Sequence, residues 1–253
     1  MQTFSCQSGS NGNCIFVQAG RTRLLIDAGI SGKRADQRMA AHGQDIRQVD
    51  ALFISHDHID HVRSAGIFNR KYHIPIYATE ETFRASRQWL GKVDEVRTFR
   101  AGDTLKIGEA LIHTIPTPHD AVDGACFVIE HEGRNLGVLT DLGFVFPELE
   151  EIMGQLDGVY LESNYDPEML RTGPYPIYLQ RRIAGDGGHL ANAEAATLLR
   201  DFTNGRLRWA ALAHLSEHNN TPELAYQTAG QILGPKLPIH IASRYDVSAV
   251  FEI

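Results

Sequence analysis

The chain has 253 residues, 43% of them hydrophobic and 22% charged, and a formal charge of −7; it can bury a core as one domain over 1–253 and is too acidic to coat nucleic acid through bulk charge, although a local basic groove is not excluded. No apolar run approaches the roughly 18 residues of a membrane span, and the start Met-Gln-Thr-Phe-Ser-Cys lacks the basic and apolar regions of a signal peptide. Cys6, Cys14 and Cys126 show no CxxC spacing, so reduced thiols, a cytoplasmic location and no membrane partner are expected.

In chain order, residues 13–18 and 22–27 are expected to form a hairpin around Ala19-Gly20-Arg21, and 33–42 a helix. The apolar strand 51–54 follows, then a loop dense in histidine, then a helix over 64–71. Short strands recur at 74–77, 104–107, 110–115, 125–129 and 135–140, mostly bounded by Gly or Asp. A buried strand at 158–161, a helix over 192–202 capped by Asn192, a strand over 207–213 and a helix over 222–233 complete the pattern. The order points to an α/β fold with two sheets packed together and helices outside.

The loop Ser55 to His61 reads SHDHIDH. Three histidines and two aspartates so close together repel one another and lose hydration, and a bound cation is the simplest reason for their company. Other ligand-type residues follow the same rule of place. His119 lies just past strand 110–115, Asp141 after 135–140, Glu162 after 158–161 and His214 after 207–213. Strand ends on a rigid sheet are where such side chains can converge.

His56-Asp57-His58-Ile59-Asp60-His61 resembles the HxHxDH signature of the metallo-β-lactamase fold, with His119, Asp141 and His214 in the order of that fold's remaining ligands. The resemblance implies an αββα sandwich of two mixed sheets holding two divalent metal ions. His56, His58 and His119 would bind one, Asp60, His61 and His214 the other, and Asp141 would bridge them. A donor set of nitrogen and oxygen suits Zn²⁺ or Mn²⁺. The lactamases of this superfamily use a cysteine at the bridging place, which argues against antibiotic hydrolysis. Asp57 would orient a ligand or sit by the reacting water.

The stretches Ser8 to Cys14, Asp27-Ala28-Gly29, Leu161 to Asn164, Gly188 to Asn192 and Ala213 to Ser216 resemble the YycJ or WalJ family. That resemblance implies a 5′-to-3′ exonuclease on DNA. Parts are also similar to ribonuclease Z, which implies Glu162 and His189 as an acid/base pair. The basic and aromatic segment 169–182 is expected to bind nucleic acid, DNA rather than RNA, with Arg171, Arg181 and Arg182 on phosphate. Ser10 and Asn13, in the Gly-rich turn, are read as further substrate contacts.

A small-molecule phosphodiesterase or a thioester hydrolase of the same fold is the alternative, favoured by the acidic net charge. A non-catalytic metal protein fits least, since every expected ligand is present. Polarity of digestion, the physiological metal and oligomeric state stay open at this level.

Overall fold

The computed structural model describes residues 1–253. Its elements begin with β1 (Gln2–Gln7), β2 (Cys14–Ala19), β3 (Thr22–Ile26), α1 (Gly32–Ala41), β4 (Ala51–Phe53), α2 (Ile59–Val62), α3 (Ala65–Tyr72), β5 (Ile76–Thr79), α4 (Glu80–Ala85), α5 (Arg87–Leu90) and β6 (Val96–Phe99). They continue with β7 (Thr104–Ile107), β8 (Ala110–Pro116), β9 (Ala125–His131), β10 (Arg134–Leu139), α6 (Pro147–Met153) and β11 (Gly158–Glu162). The last are α7 (Pro167–Thr172), α8 (Ile177–Ile183), α9 (Asn192–Phe202), β12 (Trp209–Ala213), α10 (Pro222–Leu233), β13 (Ile239–Ile241) and β14 (Phe251–Glu252). No helix is long and apolar enough to cross a membrane.

Two mixed seven-stranded sheets flanked by helices result, the α/β class expected. The chain divides into two compact units, one comprising Met1–Pro116, Ala121–Gly133 and Ser243–Glu252, the other Thr117–Asp120, Arg134–Ala242 and Ile253.

In the first unit lies the sheet β14-β1-β2-β3-β4-β5-β6. Its first half is antiparallel and its second, from β3 to β6, parallel. Strand β3 is apolar on both faces, as a strand covered on both sides must be. Leu25 and Leu52 face a core closed by Ala35 and Met39 of α1 and by Phe68 and Tyr72 of α3. On the other face, Phe53 stacks on Tyr77 at 4.8 Å and meets Phe127 edge-on at 5.5 Å. The antiparallel meander β7-β8-β9 also belongs to this unit. Strand β1 escapes sequence reading because most of it is polar: Thr3, Ser5 and Gln7 are buried, and Thr3 Oγ1 donates to Phe16 O at 2.6 Å.

The second unit holds four parallel strands, β13-β12-β11-β10. Helix α9 packs against α6 and α10. Helix α10 starts as expected, with Pro222 in its first turn and Thr221 Oγ1 accepting from Leu224 N at 3.1 Å. Asn192 departs from its expected role. Ala191 occupies the cap position of α9 and its N–H donates to Glu194 at 2.7 Å. Asn192, one residue inside the helix, takes the Ser163 hydroxyl at 2.6 Å and donates to Asn220 at 2.9 Å, a buried polar knot just beyond β11.

Candidate active site

In the first unit, β3 and β4 pair in parallel with Ile26 opposite Phe53. The two chains therefore leave the sheet side by side, through Asp27 and through Ile54-Ser55. Asp27 has φ 65, a left-handed backbone that is uncommon outside glycine and costly to hold. Its buried carboxylate accepts from Ser55 N at 2.8 Å, from Ser55 Oγ at 3.0 Å and from His61 Nδ1 at 2.7 Å. A carboxylate only accepts, so the His61 proton sits on Nδ1 and the lone pair is left on Nε2, open to Asn13 or to a cation. Ser55 Oγ, having given its proton to Asp27, accepts from His56 Nδ1 at 2.9 Å, which leaves the lone pair of His56 on Nε2 as well. One carboxylate thus sets two histidines.

His58 stands at the N-cap of α2 and Asp60 in that helix's first turn. The His56 ring lies 4.6 Å from that of His58 and 4.1 Å from that of His61. Asp27-Ala28-Gly29 latches this loop by its backbone: Ala28 N donates to His61 O at 2.7 Å and Gly29 N to Asn13 O at 2.8 Å. Position 29 admits glycine alone, because a Cβ there would fall 1.6 Å from Asp60 O. Asn13, expected at the substrate, is 3% exposed. Its Oδ1 takes Gly9 N at 2.9 Å, which turns its Nδ2 to His61 Nε2 at 3.0 Å and Asp60 Oδ2 at 3.4 Å. Ser10 is exposed and accepts from Arg244 at 3.3 Å. Asp57 accepts from Val122 N at 3.1 Å, which ties the loop to the start of the segment before β9.

In the second unit the ligand-type residues are gathered by register. Leu139, Leu161 and Leu212 lie side by side on β10, β11 and β12. Asp141 comes two residues past this line, Glu162 one and His214 two, so all three emerge from one edge of the sheet. Asp141 and His214 have φ 59 and 54, again left-handed. The donor atoms of Asp141, Glu162, His189 and His214 all lie within 4.8 Å of one another.

Glu162 is the organiser. Its Oε1 accepts from His189 Nδ1 and from His214 Nδ1, both at 2.9 Å, and its Oε2 from Leu142 N at 2.8 Å and Leu190 N at 3.1 Å. All four acceptor directions are used, so it orients histidines rather than binding a metal. Burial alone would raise its pKa. The charge and hydrogen bond of His189, with the hydrogen bond of His214, outweigh burial and an opposing push from Asp141 and hold it at about 2. Of the expected acid/base pair, Glu162 is held as an anion, while His189 has 19% of its side chain exposed.

His119 donates from Nδ1 to Gly188 O at 2.8 Å, which leaves the lone pair on Nε2; that atom lies 3.7 Å from Asp141 Oδ1. Thr117 Oγ1 donates to Asp141 O at 2.6 Å and Gly143 N to Pro118 O at 3.0 Å, which ties the His119 loop to the Asp141 turn. Of the expected phosphate contacts, Arg171 pairs with Glu168 at 2.9 and 2.5 Å, and Arg182 with Asp120. Arg181 is exposed.

The residues fit divalent metals. Each unit offers imidazole nitrogens with fixed tautomers beside carboxylates, and buried carboxylates in such numbers call for positive charge. Asp27 and Ser55 were not singled out as site residues by sequence. The signal for Asp27 was its Asp-Ala-Gly motif, whose role shows only once β3 is placed beside β4.

Residues 22–209 match the model of the beta-lactamase superfamily domain. The chain belongs to that superfamily and is a metal-dependent hydrolase of its fold. Within the superfamily it is 34% identical over 248 residues to the exodeoxyribonuclease YycJ of Bacillus anthracis, covering 97% of this chain and 91% of that one. It is 36% identical over 225 residues to the exodeoxyribonuclease WalJ of Streptococcus pneumoniae, covering 87% and 84%. Among solved structures, the metallo-β-lactamase fold protein YhfI of Bacillus subtilis superposes with a TM-score of 0.74 at 16% identity over 99% of both chains. The short form of human tRNase Z does so with 0.67 at 14% identity over 98% and 99%, a likeness of fold alone.

Proposed function

We propose that the protein is a metal-dependent DNA exonuclease that removes nucleotides in the 5′-to-3′ direction using two divalent ions, Zn²⁺ or Mn²⁺. One observation carries the chemistry: Glu162 holds a ligand histidine, His214, and a partly exposed histidine, His189, from the same oxygen. The match to two exodeoxyribonucleases over most of the chain supports DNA as substrate. On this reading His56, His58, Asp60 and His61 of one unit and His119, Asp141 and His214 of the other are the residues that would hold the ions.

Bound divalent ions supply Lewis acidity, making water nucleophilic near neutral pH and countering charge that develops on the phosphoryl oxygens. The chain's residues do the rest. Asp27, through Ser55, and Glu162 fix the histidine tautomers, so no ligand must reorient during the reaction. His189, with its Nδ1 proton held by Glu162, would offer Nε2 to the substrate. As imidazolium it protonates the departing sugar oxygen there, while the anionic Glu162 stabilises its positive charge.

The test is metal analysis of the purified protein, followed by incubation with oligonucleotides labelled at the 5′ or the 3′ end in Zn²⁺ and Mn²⁺. Release of mononucleotide from the 5′ end is expected. Hydrolysis of small phosphodiesters or thioesters with no attack on any oligonucleotide would favour the small-substrate reading. The proton role has its own check. His189→Ala should keep its metals and lose about 10²–10⁴-fold in turnover on DNA, but much less on a nitrophenyl phosphodiester, whose leaving group needs little protonation.

A further inference from the structure

Helix α8 divides its exposed residues between two tasks. Leu179 and Ile183 turn inward, against Tyr165, Leu170 and Ala191. Tyr178, Arg181 and Arg182 fall at i, i+3 and i+4 and share the outward face. The two arginines differ in what they touch. Both oxygens of Asp120 are taken by the Arg182 guanidinium, Nη2 to Oδ1 at 3.0 Å with Nε on the other. Asp120 N donates to Gly187 O at 3.0 Å, and its Oδ1 lies 3.6 Å from His119 Nε2. Arg182 is therefore a strut between α8 and the loop that carries His119. Arg181 projects from the same face beside Tyr178, which is 72% exposed, and Ile177, which is 62% exposed.

We infer that this face of α8 is the track for an unpaired end of the substrate strand, with a base stacked on Tyr178 and a phosphate on Arg181, while Arg182 is a positioning residue for His119. The inference rests on the nuclease reading and adds the form of the substrate. An exposed ring flanked by a cation matches the two chemistries of a single strand, the π-face of a base and the charge of a phosphate. Paired bases hide their faces, so the ring selects unpaired ends. The track leads to the chemistry, because His189 N donates to Ile183 O at 2.9 Å, where α8 ends.

The experiment measures binding of a cleavage-resistant phosphorothioate oligothymidylate, and of its duplex, over a range of salt. The same proteins are assayed for metal affinity and for turnover of a nitrophenyl phosphodiester. Tyr178→Ala should weaken single-strand binding by about tenfold with the salt slope unchanged, and duplex binding much less. Arg181→Ala should lower the salt slope by about 0.7, the share of one phosphate on a single strand. Both should lose more on the oligonucleotide than on the small diester. Arg182→Gln should weaken metal affinity about tenfold with its salt slope intact.

Equal losses on single strand and duplex, or none, in Tyr178→Ala would overturn the track. A reduced salt slope with intact metal affinity in Arg182→Gln would return that residue to phosphate binding and overturn the strut. An unaltered protein that cleaves the diester but neither binds nor cuts an oligonucleotide would overturn the nuclease reading together with this one. DNA cleavage with an indifferent Tyr178→Ala would sink the track alone.

Discussion

The two units reach the same end by different routes. In the first, four candidate donors sit within His56 to His61, brought together by the covalent chain, and Asp27 sets two of the histidines, one directly and one through Ser55, while taking a single backbone N–H, that of Ser55. In the second, the donors come from segments far apart in sequence, aligned by the register of β10, β11 and β12. There Glu162 sets two histidines and also takes the backbone N–H groups of Leu142 and Leu190, so it staples three segments as well as orienting rings. A carboxylate that joins two neighbouring strand ends can be weakened piecemeal, whereas one that staples three separate segments fails as a whole.

Glu162→Gln should therefore have the largest effect. An amide must point its NH₂ at a histidine N–H or a backbone N–H, which places donor against donor. A loss of about 10³-fold or more in turnover, together with reduced metal content, is expected. Asp27→Asn should cost less, about 10- to 100-fold in metal affinity. If it matched Glu162→Gln in both measurements, the distinction between joining two strand ends and stapling three segments would collapse. Ser55→Ala interrupts only the branch to His56, and its metal affinity should fall by less than that of Asp27→Asn when the two are titrated side by side.

A third buried carboxylate sharpens the contrast. Asp157 accepts from Arg134 at 2.9 Å, Arg206 at 2.8 Å and Asn135 N at 2.9 Å, and touches no histidine. Burial pushes its pKa up, but these donors hold it below the ordinary carboxylate range. The folded state thus binds this proton less readily than the unfolded chain, so the stabilisation is whole above the usual carboxylate pKa and is lost as pH falls through the folded value. Asp157→Asn should lower stability to denaturant by about 1–3 kcal/mol at neutral pH, with the gap narrowing in acid and metal content unchanged.

How much of this the sequence disclosed follows the same division. SHDHIDH is dense enough to betray itself, and following apolar strands to their ends was enough to pick out Asp141, Glu162 and His214. What stayed hidden depended on partners brought close only by folding. Asp27 looks like a turn residue until β3 pairs with β4. Arg182 looks like a phosphate contact until Asp120, 62 residues away, is found against it. Asn13 looks like a loop amide facing a substrate until Gly9 N fixes its rotation. The segment 169–182 mixes Pro, Gly and aromatics so closely that neither short helix, α7 nor α8, leaves a readable period.

Asp27, Asp141 and His214 share the left-handed backbone at the ends of β3, β10 and β12. Glycine would adopt these angles without the clash a Cβ brings, so each native side chain is kept against a local preference on the order of 1 kcal/mol. Random variants screened for heat resistance alone should accordingly drift toward glycine at position 141, where the side chain is a buried carboxylate, gaining robustness as they lose a proposed ligand. At this residue ruggedness and competence are selected in opposite directions.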